Sequence, residues 1–168
     1  MLGQLTDAGN TTTLAHYQAL LEEAFILRGV PKWTGTALRR RASSPKWLPL
    51  NTALITAISG RNLAEWRSDR RMWGRLVETV VGLHLINESL GKAYEVYYWR
   101  DRDKEVDFVL KRGNALVGIE VKSGRNKKAS GMMAFKKKYN PQSIFIVGDG
   151  AFPVRDFLES DPETLFSL

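Results

Sequence analysis

The clearest hydrophobic pattern in the chain lies between residues 105 and 122, where apolar and polar positions alternate on both sides of Gly113 and Asn114. Alternation with a period of two predicts half-buried β-strands, and Gly-Asn between two such runs predicts a two-residue hairpin turn. The turn fixes the register, so that each residue has a predicted partner. One face, entirely apolar beyond the turn, carries the pairs Arg112–Ala115, Leu110–Val117, Phe108–Ile119 and Val106–Val121. The other face carries Val109–Gly118, Asp107–Glu120 and Glu105–Lys122.

A second pattern, in residues 70–91, has the period of an amphipathic helix and ends at a glycine. Glu78 lies in this helix between Gly74 and Gly82, one turn away on either side. A glycine in a helix interior costs up to about 1 kcal/mol relative to alanine. The two glycines therefore predict that another backbone or a ligand comes close to Glu78. There are two alternatives: a surface glutamate with incidental glycines, or ordinary packing of the helix on a sheet.

The remaining patterns divide the chain into two regions, residues 1–60 and 61–168. In the first region, a helix over residues 10–24 and two short strands, in FILRGV and KWLPL, resemble a small winged helix whose first helix is missing or short. In the second region, a helix near 129–139 and the apolar strand SIFIV follow the hairpin, as in a crossover to a buried parallel strand. With a strand at 94–101, the predicted fold is α/β, with the order αβββαβ around a mixed sheet.

The predicted pair Asp107–Glu120 requires an explanation, because two carboxylates directly opposite each other destabilise a sheet. At an effective dielectric constant near 20, like charges about 4 Å apart repel by roughly 4 kcal/mol. A divalent cation such as Mg²⁺, which takes oxygen ligands, would remove this repulsion. Lys122 shares a face with Glu120, where its ammonium can orient a water molecule or meet a phosphate. The alternative is a solvated sheet face with ordinary surface charges, and the hairpin alone does not decide between the two.

Taken in order, the helix with Glu78, the strand with Asp107 and the strand with Glu-x-Lys resemble the PD-(D/E)XK nuclease superfamily. The segments GRLVETVVGLHL, VYYWRDRDKEVDFVL and GIEVKSG are more closely similar to an uncharacterised C-terminal domain of bacterial and archaeal AAA-type ATPases. The segments LAHYQALLEEAFIL and SSPKWLPLNTAL resemble the winged-helix segment of the same family, so the resemblance covers nearly the whole chain. Two positions depart from the family pattern. Val106 replaces a proline, and Asn51 stands where an acid is expected.

The resemblance implies a restriction-endonuclease-like fold and a role for each of four residues. Asp107 and Glu120 would bind Mg²⁺ or Mn²⁺, and Glu78 would bind a second metal ion or a metal-bound water. Lys122 would position or activate the attacking water. The implied reaction is in-line attack of metal-activated water on a nucleic-acid phosphodiester, with the metal also stabilising charge on the phosphate. These four residues are the predicted catalytic residues, and the three acids are the predicted metal ligands.

The charge of the chain agrees with a polyanionic partner. The formal net charge is +7 and the isoelectric point is about 9.8, a balance that favours nucleic acids. A basic cluster directly follows the Glu-x-Lys strand, where a protein that follows a phosphate backbone needs it. The predicted nucleic-acid-binding residues, with DNA as the expected partner, are Lys122, Arg125, Lys127, Lys128, Lys136 and Lys137. The alternative is a solvated helix face whose charge only keeps the protein soluble.

Other features of the sequence exclude several classes of protein. The chain has no cysteine, which excludes disulfides and thiolate zinc sites and fits a cytoplasmic protein. No apolar run approaches the roughly 18 residues of a membrane span, so no membrane partner is expected. A Gly-x-x-x-x-Gly-Lys phosphate loop is also missing from the sequence, so this chain is not expected to bind ATP in the P-loop manner. The family resemblance implies an AAA-type ATPase domain as a candidate partner.

Two functions remain open. The first is a Mg²⁺-dependent nuclease, which the presence of all four site residues favours. The second is a non-catalytic module of nuclease fold that binds nucleic acid or a partner protein and serves an ATPase, because a fold does not fix a function.

Overall fold

The computed structural model describes residues 11–35, 43–123, 130–148 and 152–167. The helices are α1 (Thr11–Glu23), α2 (Thr52–Ser59), α3 (Leu63–Ser68), α4 (Arg70–Ser89), α5 (Ser130–Tyr139) and α6 (Val154–Glu159), followed by a 3₁₀ helix (Pro162–Phe166). The strands are β1 (Leu27–Val30), β2 (Lys46–Pro49), β3 (Glu95–Asp101), β4 (Lys104–Arg112), β5 (Ala115–Lys122) and β6 (Ser143–Gly148). The predicted order αβββαβ is present from α4 to β6.

The main sheet has four strands in the order β3–β4–β5–β6, and it is mixed as predicted. Neighbouring strands from β3 to β5 are antiparallel, whereas β6 runs parallel to β5 after the crossover through α5. In the hairpin, Gly113 has a φ of 57°, which suits the first central position of a type II′ turn. The predicted register is confirmed from Arg112–Ala115 to Phe108–Ile119. A separate antiparallel pair, β1 and β2, forms the predicted wing.

The predicted register fails beyond this point, because β4 carries a β-bulge. The pairing of β3 with β4 shifts by one residue between Tyr97 and Trp99, and the pairing of β4 with β5 ends at Phe108–Ile119. A bulge places two residues of one strand opposite one residue of its neighbour and interrupts the ladder locally. Three pairs predicted from strict alternation are therefore wrong: Val106–Val121, Asp107–Glu120 and Glu105–Lys122.

The bulge also changes the face on which β4 presents its side chains. Phe108 packs on the side of α4, in the cluster that contains Val81, as the alternation predicts. Val106, predicted to share that face, instead packs with Trp99 and Phe135 on the side of α5. The acidic residues next to Val106 are consequently rotated away from their predicted positions.

Helix α4 covers one face of the sheet with the buried residues Val77, Val81 and Leu85. A Cβ atom at Gly82 would lie 2.6 Å from the ring of Phe108, and one at Gly74 would lie 2.8 Å from the side-chain oxygen of Ser123. The close approach predicted around Glu78 is therefore present. The atoms that approach these glycines belong to side chains rather than to a backbone. The close approach is therefore explained by the alternative, ordinary packing of the helix on the sheet.

Helix α5 covers the opposite face of the sheet. Phe135 is fully buried there, and its ring centre lies 5.4 Å from that of Trp99. Gly131 brings the first turn of the helix against β4, since a Cβ atom at this position would overlap the carbonyl oxygen of Glu105. The first turn of α5 therefore supports the backbone of β4 directly beside the bulge.

The region before residue 60 packs directly on this core. Val30 of β1 and Leu48 of β2 belong to the same hydrophobic cluster as α4 and the main sheet. An isolated bridge joins Lys32 to Tyr98 of β3. The two regions named from the sequence thus share one core, and residues of β2 can reach the face of the sheet that α4 covers.

Helices α2 and α3 were not predicted, although their first residues are typical helix caps. The Asn51 side chain accepts a hydrogen bond from the Ala53 N–H at the start of α2. Asn62 and Glu65 form a capping box at the start of α3. Asn51 therefore caps a helix at the position where the family resemblance expects an acid.

The C-terminal segment completes the core, with Phe157 of α6 and Leu165 and Phe166 of the 3₁₀ helix buried. Within the part of the chain that the structure describes, no helix has both the length and the apolar character needed to cross a membrane.

Candidate active site

Acidic residues of α4 and β4 converge on the side chain of Lys46, the first residue of β2. The Lys46 ammonium forms an ion pair with Glu78. It also lies 3.3 Å from Oε1 of Glu105 and 3.9 Å from Oδ1 of Asp107. Only 17% of the Lys46 side chain is exposed. One cation is thus shared by three carboxylates, and we call these four residues the Lys46 cluster.

The bulge in β4 explains how Asp107 enters this cluster. Where β4 and β5 stop pairing, Oδ2 of Asp107 accepts a hydrogen bond of 2.7 Å from the backbone N–H of Val121. The carboxylate thus replaces the backbone acceptor that a continuous ladder would offer to Val121. This bond orients the side chain, so that its other oxygen is directed towards Lys46.

Burial and charge change the acidity of two members of the cluster. Burial, followed by the negative charge of Glu78, raises the pKa of Asp107 to about 6. Lys46 and the Val121 N–H oppose that shift without cancelling it. Burial also acts to lower the pKa of Lys46, but the charges of the three acids outweigh it and raise that pKa. Lys46 is therefore charged at neutral pH, and a single positive charge faces an excess of carboxylates.

Glu120 and Lys122, the predicted site residues of β5, have a different placement. The parallel register of β5 and β6 is unbroken through Lys122, so side chains of β5 alternate between the two faces. A Cβ atom at Gly118 would lie 3.5 Å from Phe135, so Gly118 faces α5. Because side chains alternate along a strand, Glu120 and Lys122 also lie on the α5 side of the sheet. Oε2 of Glu120 is buried.

The structure therefore brings Glu78 and Asp107 together, but it does not gather all three predicted metal ligands around one point. Among the described residues, no group of three or more His, Cys, Asp or Glu side chains is arranged to hold a metal ion. The cation position that the acids do share is the one that the Lys46 ammonium occupies.

The predicted nucleic-acid-binding residues divide into those that the structure describes and those that it does not. Lys136 and Lys137 lie in the last turn of α5 and are exposed. Lys122 ends β5 opposite Gly148 of β6. Arg125, Lys127 and Lys128 lie outside the described residues.

A protein-family model described as a domain of unknown function, DUF4143, matches residues 73–158, just over half of the chain. The chain belongs to the DUF4143 family. This domain is found in C-terminal regions associated with AAA-type ATPases. The matched segment includes Glu78, Asp107, Glu120 and Lys122, whereas Lys46 precedes it. No curated protein and no solved structure matches the chain.

The sequence analysis missed Lys46 and misplaced Glu105 in this DUF4143 protein. Lys46 precedes an apolar run, so it was assigned to a wing strand without a role in the site. Glu105 was paired with Lys122, because strict alternation leaves no room for a bulge. The only sequence signal for Lys46 was its position at the start of a short apolar strand. That position indicates a role in the site only once β2 is known to pack beside α4.

The donor atoms of the Lys46 cluster fit a hard divalent cation. They are carboxylate oxygens, and Mg²⁺ is commonly held by one or two carboxylates, with water and substrate phosphates completing its shell. Glu78 and Asp107 can supply those two carboxylates, because each already contacts a shared positive charge. In this fit, Lys46 stands in for the cation.

Proposed function

We propose that this DUF4143 protein is a Mg²⁺- or Mn²⁺-dependent nuclease, with DNA as the expected substrate. The observation that carries the proposal is the convergence of Glu78 and Asp107, from a helix and a strand, on one positive charge beside the opening between β4 and β5. The order αβββαβ and the mixed sheet support assigning the region from α4 to β6 to the restriction-endonuclease-like fold of the PD-(D/E)XK superfamily.

In this proposal Glu78 and Asp107 hold the divalent cation. The family resemblance alone would add Glu120, which lies on the α5 side of the sheet, away from these two carboxylates. When bound, the cation supplies an activated water and stabilises charge on the phosphate. The hydrogen bond from Val121 to Oδ2 fixes the orientation of the Asp107 carboxylate before any ligand arrives, which is what a preorganised site requires. The role of Lys122 in orienting the attacking water rests on the family resemblance alone, because Lys122 ends β5 on the α5 side of the sheet.

The nucleic acid would be held by basic residues that follow β5. Lys136 and Lys137 are exposed on α5, and the net charge of +7 favours a polyanion. Phosphate contacts of this kind position a backbone without reading its sequence. The proposal therefore includes binding that weakens strongly with salt.

A second candidate function is a non-catalytic module of the same fold that binds nucleic acid or a partner protein beside an AAA-type ATPase. The Lys46 cluster favours it, because ion pairs with Lys46 give Glu78 and Asp107 a structural role that needs no metal. In this case the acids would be retained for stability, and the cluster would remain closed around the lysine.

The two functions are separated by a cleavage assay with supercoiled DNA, single-stranded DNA and RNA in Mg²⁺, Mn²⁺ or EDTA. We expect metal-dependent nicking by the natural chain, and a loss of at least about a hundredfold for Asp107→Asn and Lys122→Met. Glu95→Gln is the matched control, because Glu95 is an exposed acid of β3 that pairs only at 4.0 Å with Lys111.

Equal cutting by all of these variants would identify a contaminating nuclease and reject the proposal. Salt-sensitive binding with no cutting in either metal would support the module instead. In that case the double substitution Lys136→Gln and Lys137→Gln should weaken binding to unrelated sequences by a similar factor, because phosphate contacts carry no sequence information.

A further inference from the structure

We infer that Lys46 is a built-in competitor of the divalent cation: its ammonium and the metal take the same position between Glu78 and Asp107, so metal binding requires the lysine side chain to leave. This inference concerns the regulation of the proposed metal site and rests on that proposal.

The first argument is spatial. The Lys46 ammonium is ion-paired with Glu78 and lies 3.9 Å from Oδ1 of Asp107. A Mg²⁺ ion held by the same two carboxylates needs oxygen atoms at about 2.0–2.1 Å. An ion at that distance from both carboxylates would lie directly against the ammonium, which is already paired with Glu78. The ion and the ammonium cannot both stay there, because two positive groups repel each other at close range in a partly buried site.

The second argument is the balance of charge. Lys46 supplies one positive charge to three carboxylates, Glu78, Glu105 and Asp107. A divalent cation would neutralise more of that charge than the ammonium does. The lysine prevents the acids from repelling one another when no metal is bound, and it also makes each metal ion compete for the position.

The third argument is that the exchange needs no large movement. The backbone of Lys46 is fixed by pairing with Val30 in the β1–β2 ladder. The lysine side chain is long and flexible, so its ammonium can turn towards solvent while β2 stays in place. Metal affinity would consequently depend on a residue outside the matched DUF4143 segment, and on the β1–β2 hairpin that presents it.

The test is a Mn²⁺ titration of the full chain, followed by the electron paramagnetic resonance signal of free Mn²⁺. We expect Lys46→Met to bind Mn²⁺ with a Kd about tenfold lower than the natural chain, or lower still, since the competing charge is gone. Lys92→Met should leave the Kd unchanged, because Lys92 pairs with Glu88 and Asp161 away from the cluster. Asp107→Asn should abolish the site in both backgrounds.

Removing Lys46 leaves its acids without a cation, so the single variant could fail to fold. The double variant Lys46→Met with Glu105→Gln removes one of those charges and keeps Glu78 and Asp107. Compared with Glu105→Gln alone, it should show the same gain in Mn²⁺ affinity. Circular dichroism spectra identify which of the variants are folded before titration.

The outcomes separate this inference from the proposed function. Equal, Asp107-dependent Mn²⁺ binding with and without Lys46, or weaker binding without it, overturns the competition and leaves a metal-dependent nuclease standing. Tighter binding by the Lys46 variants without any DNA cleavage supports the competition, while the nuclease proposal falls. No Mn²⁺ binding by any folded variant overturns both.

Discussion

Two lysines of this protein each join acids from separate elements, in very different surroundings. The Lys46 cluster lies between β2, α4 and β4, and the side chains of Glu78 and Asp107 are only 26% and 17% exposed. The second group, which we call the Lys92 network, joins Lys92 to Glu88 at 3.2 Å and to Asp161 at 2.7 Å near the end of α4. Its two acids are 43% and 46% exposed.

The two groups shift the pKa values of their acids in opposite directions. In the Lys92 network the hydrogen bond from Lys92 lowers the pKa of Asp161. In the Lys46 cluster burial and the charge of Glu78 prevail, and the pKa of Asp107 is raised. The Lys92 network therefore resembles a surface ion pair, because its two acids are largely in contact with solvent although the Lys92 side chain itself is only 24% exposed. The Lys46 cluster concentrates more negative charge than one lysine can satisfy, which is typical of a functional site.

The largest expected effect is the loss of stability in Lys46→Met. Removing one partner of a buried ion pair leaves uncompensated charge and costs about 3–5 kcal/mol of unfolding free energy. Lys92→Met, with its partners in solvent, should change that free energy far less. Urea denaturation of both variants at neutral pH measures the difference. Similar losses in the two variants would mean that the surroundings of the lysines do not distinguish them.

The next effect concerns the packing that holds the bulge. In Gly131→Ala the new methyl group meets the carbonyl of Glu105, so α5 must move away from β4, at a cost of about 3 kcal/mol. Gly118→Ala is the control on the same face, because its Cβ would make ordinary contact with Phe135 at 3.5 Å. Denaturation should show a clear loss only for the first. If Gly131→Ala is as stable as the control, the first turn of α5 does not support the bulge.

Much of the fold was predictable because its signals are local. The glycine at 113 and the alternation around it set the turn and the register up to Phe108–Ile119. The periodic run ending near Ser89 set the long helix. The capping box of Asn62 and Glu65 was also present in the sequence, so α3 could have been predicted from it.

The candidate site was predictable only in part, since two of its determinants are not local. The bulge places Asp107 and Phe108 opposite the single residue Tyr98 of β3. β4 contains no glycine from which this bulge could have been predicted. The burial of Lys46 arises from the packing of β2 beside α4, which depends on residues far apart in sequence. Strict alternation therefore correctly identified Asp107 as unusual but assigned it the wrong neighbours.

The pH dependence of stability offers a third and smaller effect. In the native state Asp107 keeps its proton up to a pKa of about 6, against an ordinary value of 3.8. Between these pH values the native state binds more protons than the unfolded state, so stability falls as the pH rises through that window. The decrease should be roughly 2 kcal/mol, and Asp107→Asn should remove it. Urea denaturation in EDTA between pH 4 and pH 8 measures this, and an unchanged pH profile in the variant would contradict the assignment.

The smallest expected effect has the opposite sign and comes from the Lys92 network. Because the pKa of Asp161 lies below its ordinary value of 3.8, its contribution to stability is present above that pH and is lost as the pH falls through the native pKa. Asp161→Asn can still accept the hydrogen bond from the Glu163 N–H, so it removes mainly the charge. We expect a small loss of thermal stability that persists down to about pH 4 and shrinks in high salt, because the pair is exposed. A loss that grew as the pH fell from 6 to 4, or that did not shrink in high salt, would contradict this expectation. Asp161 would then have the same environment as Asp107, and the two lysine groups would not differ.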